Sequence, residues 1–330
     1  MGNIFSQFFF VPTAPLTEKN CPDQRGRVFL VTGGYAGVGF ELCKILYAHN
    51  ATVWIAGRSE PKAQKALDNI KAACPKSEGR LNFLYLDLSD LATVKPAVQS
   101  FVAQEQRLDV LVNNAGVMYP PKGSTDAQGN DLQIGTNCLG PYLLYQLLLP
   151  LLAKTAAAAP TASVRVAWAA SIAVQVAAPQ PHGMLVVGEG DDVGRPQDRG
   201  VADNYGQSKV GNVFFAREFA KATTAHTGVV HAAFNPGNLR TELQRHWTGL
   251  DHWITDKILF PPVYGAYTEL FAAVSPELTP DKSGAYIYPW GRLGSLPAGI
   301  ENSLKTGSEG GSGVAAKFLS WCAKQTEEFA

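Results

Sequence analysis

Short runs of almost wholly apolar residues alternate along this chain with longer segments whose apolar residues recur at helical spacing. The apolar runs, which predict strands, cover residues 28–32, 52–56, 81–86, 109–112, 164–169, 229–234 and 286–290. The segments between them predict helices at about 38–46, 61–73, 91–102, 136–154 and 204–226. Apolar strands separated by helices are typical of a parallel sheet that is covered on both faces. Right-handed crossovers then make this a Rossmann-type, doubly wound α/β fold.

One domain accounts for most of the chain. We expect it to span residues 25–296 and to carry a small substrate-binding lobe. This lobe is expected to come from two irregular segments, 177–203 and 244–262. Residues 1–24 are expected to form an N-terminal tail, and residues 297–330 a C-terminal extension with a Gly/Ser linker and a short amphipathic helix.

The composition excludes several classes of function. The chain has 28 basic and 28 acidic residues among 330, and 46% of its residues are hydrophobic. Such a chain buries a core, which excludes general disorder, and it lacks the basic excess that nucleic-acid binding needs. Five widely spaced cysteines without a C-x-x-C pair argue against a disulfide framework or a zinc site and favour a reducing compartment. The histidines have no ligand spacing, so no metal is expected, and no apolar run is long enough to cross a membrane.

A glycine-rich turn follows the first predicted strand and leads into the first predicted helix. Glycines at 33, 37 and 39 allow the backbone to turn tightly and to approach a pyrophosphate at the helix N-terminus. The order of strand, turn and helix predicts a dinucleotide site, with a tight turn that binds no ligand as the alternative. The expected cofactor contacts in this turn are Thr32, Gly33, Tyr35, Ala36, Gly37, Val38 and Gly39.

Further motifs follow this turn in a fixed order. Residues 113–116 read N-N-A-G at the end of the fourth predicted strand, and residues 205–209 read Y-G-Q-S-K on a predicted helix. Asn137 and Ser171 lie between these motifs, and residues 235–237 read N-P-G after the sixth predicted strand. Together with the T-G-x-x-x-G-x-G turn, the set resembles the short-chain dehydrogenase/reductase family over most of the chain. Within the family it is most similar to the retinol-dehydrogenase-like branch and to fungal short-chain reductases.

The pair of Tyr205 and Lys209 suggests acid–base chemistry from the residues themselves. The two residues stand four apart on a predicted helix and therefore share one face. A free tyrosine titrates near pH ~10, which is too high for efficient proton transfer at neutral pH. A nearby ammonium group favours the phenolate, so we expect Lys209 to lower the pKa of Tyr205. Taken alone, the same spacing would describe an exposed helical pair.

The resemblance implies roles for the other motif residues. Ser171 would hydrogen-bond the substrate oxygen, Asn137 would organise a water relay towards Lys209, and Lys209 would also hold the nicotinamide ribose. In reduction, hydride would go to the carbonyl carbon while Tyr205 protonates the oxygen. The resemblance and the motif positions also imply cofactor contacts from Asp87, Leu88, Asn114, Ala115, Gly116, Pro236, Gly237, Leu239 and Thr241. A helix N-cap is the other interpretation of Asp87.

The end of the second predicted strand bears on the choice of cofactor. NAD-binding relatives usually have an acidic residue near the position of Gly57, where it holds the ribose 2′-hydroxyl. Gly57 has no side chain, and Arg58 beside it is suited to a 2′-phosphate. We therefore expect NADPH or NADP+ in preference to NAD. The alternative is that Arg58 is a solvated charge and that Glu60 reaches the ribose.

The first residues suggest a weak contact with a membrane. Residues 1–6 match the M-G-x-x-x-[ST] pattern of N-myristoylation, and the apolar residues 8–11 follow them. A single acyl chain gives only marginal membrane binding, and the aromatic cluster would add a second contact. The prediction is a cytoplasmic protein, and a weak membrane contact through residues 2–11 is one of two interpretations of its tail. The alternative is a tail that packs on the body of the protein.

The substrate pocket is expected beyond the carboxyl ends of the strands, where the two irregular segments emerge. Trp247, Trp253 and Tyr264 indicate an apolar or aromatic substrate, and the alternative is that these rings form the small core of the lobe. The expected function is therefore an NADPH-dependent carbonyl reductase or alcohol dehydrogenase that acts on a small hydrophobic compound.

Two metabolic settings fit this expected function: retinoid or lipid carbonyl metabolism, and a tailoring step in fungal secondary metabolism. A homodimer is a possible assembly. The alternatives from other classes are a dinucleotide-binding sensor without catalysis and a non-redox isomerase or cyclase. An intact set of Ser171, Tyr205 and Lys209 argues against the sensor.

Overall fold

Strands and helices alternate in the computed structural model, which describes residues 6–7, 11–240 and 259–330. The strands are β1 Val28–Thr32, β2 Thr52–Gly57, β3 Arg80–Tyr85, β4 Val110–Asn113, β5 Arg165–Ala169, β6 Val186–Val187, β7 Arg195–Pro196, β8 Val230–Phe234, β9 Ala285–Tyr288 and β10 Arg292–Gly294. The described α-helices of four or more residues are α1 Gly37–Ala48, α2 Glu60–Ala73, α3 Val94–Gln104, α4 Gly140–Ala157, α5 Ala173–Val176, α6 Val201–Thr227, α7 Pro262–Val274, α8 Ala298–Ser303 and α9 Val314–Thr326. The predicted alternation is confirmed, with boundaries that shift by a few residues.

Eight of the described strands form one sheet, in the order β10-β9-β8-β5-β4-β1-β2-β3. Neighbouring strands run parallel except for the pair of β9 and β10. The strand order reverses between β1 and β4, so the connections that leave these two strands diverge and open a crevice at their carboxyl ends. The predicted doubly wound Rossmann-type fold is therefore confirmed. The antiparallel strand β10 has too few residues to produce a strand pattern in the sequence.

Side chains of the central strands alternate between two hydrophobic cores, one on each face of the sheet. In β1, Val28 and Leu30 belong to one core, and Phe29 and Val31 belong to the other. The helices α3, α4, α6 and α9 cover the first core, and α1, α2 and α7 cover the second. A strand that is buried on both faces needs no polar alternation, which explains the continuous apolar runs of the sequence.

The helix α9 packs into the first core. Phe318 stacks on Phe215 of α6 with ring centroids 5.5 Å apart, and Trp321 is 2% exposed. A Cβ atom at Gly211 would lie 3.0 Å from the Phe318 ring, so the missing side chain there allows α9 to approach α6 closely. The division into a domain and a C-terminal extension remains a prediction, while the core contains residues from both.

The irregular segments contain little regular structure. The hairpin of β6 and β7 lies within the predicted loop 177–203, and α6 begins at Val201, three residues before its predicted start. A large part of the predicted loop 244–262 lies outside the described residues. Across the described ranges, each helix is too short or too polar to cross a membrane.

Candidate active site

The turn between β1 and α1 brings the glycine-rich residues against the end of β4. Gly33 and Gly37 have positive φ angles of 68° and 54°, which favour glycine. A Cβ atom at Gly39 would lie 2.6 Å from the side-chain nitrogen Nδ2 of Asn114, so only glycine allows α1 to begin this close to β4. Ala36 is the N-cap of α1 and offers no side-chain acceptor to the first helical amides. This arrangement leaves the helix N-terminus suited to an anion such as a pyrophosphate.

A cleft of about 350 Å³ opens between this turn and the carboxyl ends of β1 to β4. The predicted cofactor residues that line it are Thr32, Gly33, Tyr35, Ala36, Gly37, Val38, Arg58, Asp87, Leu88, Asn114, Ala115 and Gly116. The other lining residues are Ala56, Gly57, Ser59, Lys62, Leu86, Val117 and Thr136. Predicted cofactor contacts that do not line this cleft are Gly39, Pro236, Gly237, Leu239 and the two catalytic candidates Tyr205 and Lys209. The cleft therefore lies at the carboxyl ends of neighbouring strands, around the point where the strand order reverses.

At one end of the cleft, the ring of Tyr35 lies over the backbone of Gly57. A Cβ atom at Gly57 would be 3.1 Å from Cδ1 and Cζ of that ring and closer still to Cε1. Any side chain at position 57, an acidic one included, would therefore displace Tyr35. The exposed side chains of Arg58 and Lys62 line the same end, and Ser59 is the N-cap of α2. Two cations beside a helix N-terminus favour a phosphate group.

Asp87 lines the cleft and also stabilises the turn after β3. Its carboxylate accepts hydrogen bonds from the amide of Ser89 at 3.0 Å and from the hydroxyl of Ser89 at 2.6 Å. The N-cap of the next helical turn is Asp90, which accepts from the amide of Ala92 at 3.1 Å. The N-cap interpretation of Asp87 is therefore wrong, because Asp90 occupies that position.

The loop after β4 connects the cleft with the predicted catalytic residues. The side chain of Asn114 donates a hydrogen bond of 2.8 Å to the carbonyl of Thr32, which ties this loop to the end of β1. Gly116 follows and lines the cleft. A Cβ atom at Gly116 would lie 3.0 Å from Oδ1 of Asn137 and 3.4 Å from Nζ of Lys209. Gly116 therefore stands between the cleft and these two buried side chains.

Asn137 lies in a π-helical turn, Gly135–Leu139, that leads directly into α4. Its Oδ1 accepts from the amide of Val117 at 2.8 Å, and its Nδ2 donates to the carbonyl of Val117 at 3.0 Å. Nδ2 also donates to the hydroxyl of Ser208 at 2.9 Å. Asn137 thus holds the loop after β4 against α6, and turns of this kind are frequent at functional sites. The water relay towards Lys209 remains a prediction.

Tyr205 and Lys209 lie on the buried face of α6, with 7% and 6% of their surface exposed. The interpretation as an exposed helical pair is therefore wrong. Nζ of Lys209 lies 5.7 Å from the centroid of the Tyr205 ring and donates to the carbonyl of Ala169 at 2.9 Å. The Tyr205 hydroxyl forms a hydrogen bond with the side chain of Ser171. Three of the four predicted catalytic residues thus meet near the end of β5.

Burial governs the protonation of this pair. Removal from water raises the pKa of Tyr205 to about 12, and the hydrogen bond with Ser171 acts in the opposite direction. Burial lowers the pKa of Lys209 to about 8. The expectation that the pKa of Tyr205 lies below that of a free tyrosine is wrong for this arrangement, because desolvation is the larger effect. At neutral pH, the phenol is protonated and most of the lysine is charged.

The segment after β8 contains the remaining predicted cofactor contacts. Asn235 accepts a hydrogen bond from the amide of Gly237 at 3.0 Å, and Gly237 has a φ of 95°. Pro236 between them is half-buried, and Leu239 is buried in the second core. Thr241 lies outside the described residues. The side chain of Asn235 therefore stabilises this turn.

The predicted substrate residues are only partly described. Trp247 and Trp253 lie outside the described residues. The ring of Tyr264 on α7 lies 4.5 Å from the ring of Trp290 and 5.8 Å from that of Phe260, measured between centroids. These contacts make Tyr264 part of a local aromatic cluster, which agrees with the alternative stated for it. Its contact with substrate remains a prediction.

Two residues of the site have no motif that would identify them from sequence. Tyr119 has a φ of 51°, and its ring meets the edge of the Tyr205 ring with centroids 5.4 Å apart. A non-glycine residue in this conformation is uncommon and is found preferentially at functional sites. Lys62 lines the cleft and lies in the first turn of α2, four residues after Arg58. Two signals would have found them: Tyr119 follows soon after N-N-A-G, and Lys62 follows soon after Arg58.

Comparison with known proteins bears on the family and the fold of this chain. Residues 27–176 match the family model described as short chain dehydrogenase. A short-chain dehydrogenase/reductase from Phomopsis amygdali is 43% identical over 334 residues, which cover 100% of this chain and 98% of that protein. A short chain dehydrogenase from Shigella flexneri, solved in complex with NADP, has a TM-score of 0.61 at 21% identity and covers 81% of this chain and 98% of its own.

A second solved structure differs in its cofactor. It is a 3-ketoacyl-(acyl-carrier-protein) reductase from Brucella melitensis in complex with NADH, with a TM-score of 0.59 at 22% identity. It covers 79% of this chain and 96% of its own. At 21% and 22% identity, the two solved structures show only that this chain shares their fold. The 43% identity to the Phomopsis protein extends over the whole chain. The chain therefore belongs to the short-chain dehydrogenase/reductase family of NAD(P)-dependent oxidoreductases.

Proposed function

We propose that the protein is an NADPH-dependent carbonyl reductase or alcohol dehydrogenase that transfers hydride between the nicotinamide and a hydrophobic ketone, aldehyde or alcohol. The observation that carries this proposal is the position of Gly116. It lines the dinucleotide cleft, and a side chain there would meet Asn137 and Lys209. The cleft and the catalytic candidates thus share a wall, which suits a reaction between a bound cofactor and a bound substrate.

The residues of the cleft fit a dinucleotide. The first amides of α1 would hold the pyrophosphate, Asp87 and Leu88 would contact the adenine, and Lys209 would hold the nicotinamide ribose. When bound, the nicotinamide supplies or accepts the hydride. The further proposed cofactor contacts are Asn114, Ala115, Pro236, Gly237, Leu239 and Thr241.

Tyr205 is the proposed acid in the reductive direction. With a pKa of about 12, its phenol carries a proton at neutral pH and can donate it to the substrate oxygen. Ser171, hydrogen-bonded to that phenol, would hold the same oxygen. The charge of Lys209, whose pKa is about 8, would stabilise the phenolate that forms as the proton leaves. In oxidation the same groups act in reverse, and Tyr205 accepts the proton.

The preference for NADPH rests on the cleft end at Arg58. Arg58 and Lys62 supply two cations for a 2′-phosphate, and the ring of Tyr35 fills the space that an acidic side chain at Gly57 would need. Glu60, the alternative partner of the ribose, does not line the cleft.

A hydrophobic substrate is proposed from the aromatic surroundings of Tyr205. The half-buried ring of Tyr119 borders it, and burial raises the pKa of Tyr119 as well, so its hydroxyl is neutral. A tailoring step in secondary metabolism is the setting that we propose for this reaction.

The catalytic role is tested with the purified protein and a panel of aldehydes, ketones and alcohols, followed by NADPH absorbance. We expect Tyr205→Phe to lower kcat by roughly a hundred- to ten-thousand-fold while NADPH affinity stays nearly unchanged. Tyr142→Phe is the matched control, because Tyr142 is 6% exposed and lies on α4. Full activity of the Tyr205 variant would contradict the mechanism. Binding of NADPH without turnover of any compound would favour the sensor or the non-redox enzyme.

The cofactor preference is tested by fluorescence titration with NADPH and NADH. A hydrogen bond to a charged group contributes about 1.5–3 kcal/mol, so Arg58→Ala and Lys62→Ala are each expected to weaken NADPH binding by about tenfold or more. NADH affinity should change little. Lys65→Ala is the control, since Lys65 is exposed on the same helix and does not line the cleft. Equal losses for both cofactors would refute the 2′-phosphate assignment.

A further inference from the structure

Two residues of the N-terminal segment, Ser6 and Gln7, are bonded to distant parts of the chain. Gln7 is 2% exposed; its Nε2 donates to Oε1 of Gln175 at 2.8 Å, and its Oε1 accepts from Nδ2 of Asn235 at 2.9 Å. Nη2 of Arg292 donates to the carbonyl of Ser6 at 3.0 Å. The partners are 168 or more residues away in sequence, so tertiary structure alone brings Ser6 and Gln7 to their positions.

Both partners of Gln7 belong to segments that border the proposed active site. Gln175 lies on α5, and the first amide of α5 donates to the hydroxyl of Ser171 at 3.2 Å, which links the serine to this helix. Asn235 uses its other side-chain atom, Oδ1, to accept from the amide of Gly237. One buried amide thus joins the helix after Ser171 to the turn after β8.

The chemistry of glutamine suits this position. Its carboxamide offers one acceptor and two donors, so it can satisfy an amide donor on one side and an amide acceptor on the other. Loss of this side chain would leave Nδ2 of Asn235 without the hydrogen bond that Gln7 gives it in a buried environment, which is unfavourable. An aliphatic side chain of similar volume would fill the space and satisfy neither partner.

We propose that Ser6 and Gln7 form a strap, which joins α5 to the turn 235–237, and that Gln7 is a positioning residue for Ser171 and for that turn. The proposal rests on the proposed function, because it assigns the strap to the active site of that reaction. The strap agrees with the alternative stated for the N-terminal tail, which is packing on the body of the protein. A membrane contact through other residues of the segment 2–11 remains a prediction.

The strap itself is tested by hydrogen exchange on the full chain without cofactor or substrate. Gln7→Ala is expected to raise the exchange rates of amides in 171–177 and 235–239 by about tenfold, since a lost hydrogen bond changes the local opening equilibrium constant by about that factor. Gln24→Ala is the matched control. Gln24 is 1% exposed, donates to the carbonyl of Pro22 at 2.7 Å and accepts from Arg27 at 2.6 Å. Unchanged exchange in both segments of the Gln7 variant would overturn the proposal.

The positioning role is tested with 4-nitrobenzaldehyde and NADPH. We expect Gln7→Ala and Gln7→Met to raise the KM for 4-nitrobenzaldehyde by about tenfold and to raise the Kd for NADPH as well, because the turn 235–237 belongs to the proposed cofactor contacts, with Gln24→Ala like the wild type. Full recovery in Gln7→Met would overturn the proposal, because volume and not hydrogen bonding would then matter. Faster exchange with unchanged kinetics would also overturn it. A wild type that reduces no carbonyl compound would count against the proposed function, and the exchange measurement would still decide whether the strap exists.

Discussion

The ring of Tyr35 occupies the space that a side chain at position 57 would need. Tyr35 belongs to the glycine-rich turn and Gly57 to the end of β2, so two segments that are separate in sequence act as one unit at this end of the cleft. An acidic residue at position 57 is compatible with this turn only if the tyrosine ring moves away. The Tyr35 ring therefore excludes an acidic residue at position 57 by its volume, in addition to any effect of the negative charge.

A pair of substitutions separates these two effects. Gly57→Asp alone is expected to weaken binding of both NADPH and NADH, because the new Cβ atom collides with the Tyr35 ring. In the double variant Gly57→Asp with Tyr35→Ala, the carboxylate has room to reach a ribose hydroxyl, and we expect NADH affinity to recover while NADPH affinity does not. Fluorescence titration with each cofactor measures this. If the double variant recovered its affinity for both cofactors, the electrostatic effect of the carboxylate would be contradicted. Gly57→Ala serves as the uncharged control.

Tyr119 is expected to affect substrate turnover through its ring. Tyr119→Phe keeps the edge contact with Tyr205 and should retain most of the activity, whereas Tyr119→Ala removes it. An aromatic contact of this kind contributes about 0.5–1.5 kcal/mol, so we expect kcat/KM to fall by about two- to tenfold in the alanine variant. Both variants keep a non-glycine residue at positive φ, so backbone strain is matched. Equal kinetics for alanine and phenylalanine would refute a role of the ring.

His231 is expected to make the fold sensitive to acid. It lies on β8 against the rings of Tyr145, Trp168 and Phe219, and burial lowers its pKa to about 3. Between pH 6.5 and 3, the unfolded chain binds a proton at this histidine and the folded chain does not. Stability is therefore full above pH 6.5 and is lost as the pH falls, by roughly 2 kcal/mol at pH 5.

Chemical denaturation at several pH values measures this effect. His231→Gln is expected to have a lower stability at neutral pH, because the ring contacts are lost, and a smaller loss between pH 6.5 and 5. His226→Gln is the control, since His226 is exposed in the last turn of α6. An acid dependence that is the same in the wild type and in His231→Gln would mean that other groups cause it.

Phe318 is expected to stabilise the whole domain. It is 0% exposed and stacks on Phe215 of the helix that carries Tyr205 and Lys209. Phe318→Ala is expected to lower the free energy of unfolding by about 3–5 kcal/mol, the usual cost of removing a buried phenylalanine. Phe329→Ala, at a half-buried phenylalanine beyond α9, should cost much less. Urea unfolding followed by circular dichroism compares them, and similar losses would contradict a central role of Phe318.

The main sheet was predictable because most of its strands are buried on both faces. Residues 28–32 and 229–234 have no polar alternation, and helical spacing between such runs indicates a doubly wound fold. The short strand β10 and the hairpin of β6 and β7 were not predictable, because two or three residues carry no period.

The candidate site was predictable where motifs have fixed spacing, and not where tertiary contacts decide. The positions of Tyr205 and Lys209 follow from their motif, but the direction of the Tyr205 pKa does not. That direction depends on burial, which no local pattern reports. Tyr119 and Gln7 each meet partners far away in sequence, so only the folded chain brings them to the site.

The packing of α9 on α6 has a consequence for synthesis on the ribosome. The rings of Phe215 and Phe318 are 103 residues apart in sequence, and each covers the other in the first core. During translation, α6 therefore emerges with an apolar side that has no cover until α9 has been made. Nascent chains that contain α6 but not yet α9 are therefore prone to aggregation or to chaperone binding. Truncation before residue 314 would leave the finished protein in the same state.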